Sequence, residues 1–164
     1  MNRRTLLHTS ARLALAAAAL GTLNACAGQT ADQLTSDVNL IVNGLNSIIP
    51  TLAGLPASAQ PNAAVMAQIQ KALADLAANA AQVGTALAPN ANAISAISTV
   101  ISTLSALVAP FFPLAPVINT IIQAAMALLP GILAMAKLPA PASITPQAMS
   151  PDAARVVLKA AAKK

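Results

Sequence analysis

Along residues 31–52, Leu34, Val38, Ile41, Leu45, Ile48 and Leu52 recur at spacings of four, three, four, three and four, with Asp37, Asn39, Asn43 and Asn46 mostly off the stripe. That pattern is a helix with a single apolar seam. Residues 62–87 repeat it, with Val65, Ile69, Leu73, Leu76, Ala80, Val83 and Leu87 on one face, Asn62 as the opening cap and Pro89 as the stop. Residues 92–109 carry Ile94, Ile97, Ile101, Leu104 and Val108 on one side, and Ser95, Ser98, Ser102 and Ser105 form a second stripe beside them. In lipid such a small-residue stripe lets helices approach closely; in water it is as often a packed or solvated face. Residues 116–138 are the most apolar, and from Leu107 to Ala136 there is no charged side chain.

Prolines punctuate these segments. Pro50 falls near the end of the first segment and Pro56 and Pro61 close the connection, while the run from Pro110 to Pro116, which holds both Phe residues, reads as a sharp turn that either caps one end of a core or forms an exposed membrane-touching tip. The stretch 117–129 suits a helix buried on most sides, and a kink at Pro130-Gly131 allows it to continue. The fold class expected is all-α: an antiparallel bundle of about four helices within 28–138. A Pro-rich linker at 139–150 leads to a short basic helix at 151–164, begun by Ser150-Pro151-Asp152 in the order of cap, first-turn proline and acid. The apolar side of that helix, chiefly Val156, Val157 and Ala160, is small, so it is expected to be loose.

Composition changes the picture of the core. Of 164 residues 42 are Ala, two are Phe, and there is no Trp or Tyr. Alanine forms helix readily but buries little area, so association must come from the Leu, Ile and Val seams. Closely packed helices, or a bundle with an apolar interior gap able to carry an apolar ligand, both follow.

Residues 1–27 stand apart from the fold. They have a basic start with Arg3, Arg4 and Arg12, a mild apolar core and small residues after it, which is the form of a secretory signal. Asn2-Arg3-Arg4-Thr5-Leu6-Leu7 resembles the twin-arginine translocation signature, which makes Arg3 and Arg4 the export determinants. Leu23-Asn24-Ala25-Cys26 resembles the lipobox of bacterial lipoproteins, in which the cysteine thiol is lipidated. Ala25-Cys26-Ala27 also fits an ordinary signal peptidase site that would discard Cys26. The lipobox implies a bacterial membrane as partner through a lipid anchor, and Ala27 after the Cys implies the outer membrane facing the periplasm.

Beyond the signal, six Lys and Arg face Asp32, Asp37, Asp75 and Asp152, a net charge of +2. With so little charge and no aromatic stacking platform, no nucleic-acid partner is expected. The one His is His8, in the signal, and there is no Glu, so no imidazole or glutamate can serve as a base or ligand. The four Asp are far apart and read as solvated caps, Lys71 and Lys137 stand in no Ser-x-x-Lys arrangement, and the six glycines form no phosphate loop. The expectation is an exported protein that is not an enzyme, with no catalytic residue, metal or cofactor. Its role would be structural or interactive, with an envelope protein or a second copy as partner; the alternatives are a periplasmic carrier of an apolar ligand and a membrane-active helical hairpin. The apolar segment 117–136 risks lateral release from a Sec channel, and folding before export would hide it. Replacing residues 1–27 with a strong Sec signal should therefore block or divert export, read by fractionation; normal export of that fusion would count against folding first.

Overall fold

The computed structural model describes residues 31–84, 90–139 and 149–163, and every regular element among them is helical. α1 (Ala31–Asn46) carries the first seam, and one residue, Ser47, separates it from α2 (Ile48–Ala53). The spacing predicts one helix over 31–52; the break arises because Pro50 has no N–H to return to the Asn46 carbonyl. At the break Ser47 turns back on the last turn of α1, with its amide 3.2 Å and its hydroxyl 2.7 Å from the Gly44 oxygen. Gln60 then donates to the carbonyls of Ala53 and Leu55 and closes the connection.

Side-chain caps set the next starts. Asn62 accepts the Val65 amide at 2.9 Å ahead of α3 (Ala63–Gly84), and Asn90 accepts the Ala93 amide at 3.2 Å ahead of α4 (Ala91–Val108). A 3₁₀ turn (Ala109–Phe111) and the prolines after it lead into α5 (Pro116–Met135), which opens on Pro116 and continues through Pro130. Pro130 is exposed, where the missing backbone bond costs least. At the end of α5 the Leu138 amide returns to Leu133 at 2.9 Å and the Lys137 amide to Ala134 at 3.1 Å, with Lys137 at φ 55°. This termination needs a left-handed residue, and Gly is the one that adopts it without strain. Ser150 caps α6 (Pro151–Ala161).

The chain is an all-α antiparallel bundle. α1, α3, α4 and α5 follow one another around a ring, and α6 lies over the seam between α1 and α5. The predicted stripes turn inward over the described residues, with Ile41, Leu45, Ile48, Leu52, Ile69, Leu76, Ile94, Ile97, Ile101 and Leu104 fully buried, while Leu87 of the second stripe lies outside the described residues. Both Phe residues are half-buried against one end of this core. α1 and α4 therefore point towards that end, and α3 and α5 away from it.

The left-handed Lys137 gives a direct test of the α5 terminus. Lys137→Gly should raise stability by about 1 kcal/mol, a gain of a few degrees in Tm on thermal melting followed by circular dichroism.

Candidate functional site

The C-terminal helix is built to dock. Ala154, Leu158 and Ala161, spaced by four and three, are buried, whereas Val156 is 68% exposed. The expectation of a loose helix with Val156, Val157 and Ala160 inward is thus corrected in part: Val157 is half-buried against the core, but Val156 and Ala160 are exposed, and the small Ala154 and Ala161 beside Leu158 let α6 come close. Gly44 receives it, since a β-carbon there would stand 2.5 Å from Leu158 Cδ2 and 3.4 Å from its Cα. Because Arg155 meets Asp37, Leu158 meets Gly44 and Ala161 approaches Ser47, α6 runs parallel to α1.

Asp37 is the second correction. Sequence spacing places it as a solvated acid beside the seam, but α6 covers it and it is 1% exposed. Arg155 donates Nε to Oδ1 and Nη2 to Oδ2, both at 2.8 Å, in a two-pronged pair, and Gln33 adds a bond to Oδ1 at 3.0 Å. The remaining Arg155 prong, Nη1, meets Asp152 at 2.8 Å. The other acids lie where expected: Asp32 and Asp152 are exposed, and Asp75 pairs at 2.7 Å with Lys71 on the outer face of α3. The hydrogen bond that Arg155 donates to Asp37 holds the guanidinium above the usual arginine range, although burial works against it. A cation with a raised pKa loses its stabilising effect only as pH climbs through that high range, so the arginine adds no pH dependence near neutrality.

Beside this latch, α2, α5 and α6 border a cleft of about 230 Å³, lined by Ser47, Thr51, Val117, Thr120, Ile121 and Val157. Further clefts of about 290 Å³ between α3 and α4, and about 280 Å³ between α4 and the end of α5, also lie between helices at the surface. Among the described residues no three potential metal-ligating acids, His or Cys come together. The candidate residues Arg3, Arg4 and Cys26 lie outside the described residues.

A further feature is a face rather than a pocket. The uncharged run is longer than its most apolar part: no Asp, Glu, Lys or Arg occurs from Leu76 to Ala136, 61 residues that include all of α4 and α5. The outer side of this pair presents Ser95, Thr99, Ser102, Thr103 and Thr120, with Leu114 and Val117 exposed near the turn. Sequence reasoning missed the Asp37–Arg155 pair because its partners are 118 residues apart. One signal was present: Arg155 is the sole arginine after residue 12, and Asp37 directly adjoins seam residue Val38.

No protein-family model matches the chain, and no curated protein or solved structure does either.

Removing one partner of the latch leaves a buried charge. Arg155→Ala should cost about 3–5 kcal/mol in urea unfolding, while the pair Asp37→Leu with Arg155→Met should recover most of that loss. A single variant as stable as the parent would mean that α6 is held by its apolar side alone.

Proposed function

We propose that this is an exported, non-enzymatic protein of the bacterial envelope, a lipid-anchored helical bundle with a structural or interaction role. The observation that carries the reading is where the lone thiol falls. Cys26, in its lipobox-like setting, is followed by only four residues before α1 begins at Ala31. The five steps from Cys26 to Ala31 reach at most about 18 Å when extended, so an acylated Cys26 would hold the bundle close to its membrane. More than one acyl chain would make that attachment stable where a single chain is marginal.

The interaction role is supported by the surface. Three of the four acids, Asp37, Asp75 and Asp152, are joined to cations, and the chain has no Glu and no His beyond the signal. The side chains best placed for general acid–base work are thereby missing or occupied in holding helices together. An uncharged helical face is left as the broadest unusual feature, and such faces serve contact with other molecules.

The intact mass of the protein, extracted gently from membranes of its own host, checks the anchor. The expected species begins at acylated Cys26. An unmodified chain beginning at Gly28 would overturn the lipoprotein reading and leave a free exported bundle.

A further inference from the structure

Within the uncharged run, α4 and α5 lie side by side and are joined by an uncharged turn. The stretches Ala91–Phe111 and Pro116–Met135 are 21 and 20 residues long and apolar enough to cross a membrane. Twenty helical residues span about 30 Å, the thickness of the hydrocarbon layer of a bilayer. A core helix of a soluble bundle can be equally apolar, but its surface is then mostly covered. Here, over an apolar window of 18 residues in each stretch, 33% is buried in the first and 50% in the second. The uncovered part has none of the Lys, Glu or Asp that solvate the outer side of an ordinary amphipathic helix.

Four of the hydroxyls it carries are already bonded. Thr99, Ser102, Thr103 and Thr120 each donate to the carbonyl four residues back, at 3.1, 3.1, 3.0 and 3.1 Å. Gln123 donates Nε2 to the side-chain Oδ1 of Asn119 at 3.2 Å. A hydroxyl satisfied on its own helix needs no water, and this lets Ser and Thr enter lipid at little cost. Leu114 on the turn is exposed and apolar, so the turn brings no charge into hydrocarbon. Lys137, the first cation after α5, stands just past its end, where a long side chain can reach the headgroup layer.

We propose that α4 and α5 form a membrane-inserting hairpin, for which the bundle is the water-soluble state. In a bilayer the aliphatic sides now in the core face acyl chains, and the Ser and Thr sides pack helix against helix. Lipid is as apolar as the core, so the Ile and Leu side chains change surroundings at little cost, while small residues let the two backbones approach. The partner is the lipid bilayer itself, and the inference does not rest on acylation of Cys26.

The test uses the mature chain with Cys26→Ser, so no anchor can account for binding. It is mixed with vesicles of phosphatidylcholine and phosphatidylglycerol and floated on a density gradient. A dye attached through Thr103→Cys is expected to be quenched by nitroxides placed in the bilayer interior, and one attached through Gln70→Cys, on the exposed side of α3, is not. Thr103→Lys with Thr120→Lys changes only exposed positions, so the helical fold should persist by circular dichroism while vesicle binding falls at least tenfold. Three results would overturn the proposal: no flotation of the parent, equal flotation of the lysine variant, or flotation without quenching at residue 103. A dimer seen by light scattering, abolished by the two lysines and formed without vesicle binding, would assign the face to a second copy and overturn it as well.

Discussion

With two Phe and no Trp or Tyr in the chain, the energy that holds these helices together must come from one stripe of Leu, Ile and Val on each. Full burial of such a side chain contributes about 1.5–3 kcal/mol, set against about 1–2 kcal/mol of backbone entropy for each residue ordered. The stripes must therefore be almost completely covered, and they are: from Ile41 to Leu52 on α1–α2 and from Ile94 to Val108 on α4, each stripe residue is 0% exposed. Alanine supports this in two ways. It makes helix formation locally favourable, and its small side chain lets the seams meet without bulk in between.

Apolar stripes are poor at specifying orientation, because an aliphatic side chain accepts many neighbours. The Asp37–Arg155 pair supplies what they lack. A guanidinium and a carboxylate joined by two parallel bonds accept little rotation or sliding, so α6 is held in one register along α1. Gly44 acts together with that pair. It stands about two helical turns beyond Asp37 and leaves room for Leu158, so the ionic contact and the close approach require the same alignment. The charge pair selects the arrangement, and burial of Ala154, Leu158 and Ala161 contributes the apolar part of the attachment.

How much of this was legible in the sequence follows from the range of each interaction. Helix positions and inward faces follow from local spacing, and Asn62 and Ser150 act as the caps their positions suggest. The break at Ser47 was hidden because the apolar stripe runs straight through it while the backbone defect from Pro50 acts four residues earlier. The inward side of α6 was misread in part for a related reason. Val156 and Val157 are its most conspicuous apolar residues, but what decides its rotation is Gly44 and Asp37, more than a hundred residues away. A long-range pair between a lone arginine and a lone acid leaves no periodic trace. The candidate face on α4 and α5 was half legible: its serine stripe and apolar character are sequence features, whereas its exposure and the bonding of its hydroxyls are properties of the fold.

Charge is sorted by helix in this chain, and the sorting connects the latch to the face. Asp32 and Asp37 are on α1, Lys71 and Asp75 on α3, and Asp152, Arg155 and Lys159 on α6, while α4 and α5 have none. Both partners of the latch, buried Asp37 and half-buried Arg155, therefore belong to helices that hold charge, and neither belongs to the uncharged pair. Separation of α4 and α5 from the others would leave every ion pair intact and would place no charge in an apolar phase. A pair between α1 and α5 would have tied the two groups together at the cost of a buried charge on separation. As built, no ion pair joins the three helices that carry charges among the described residues to the two that would meet lipid without any.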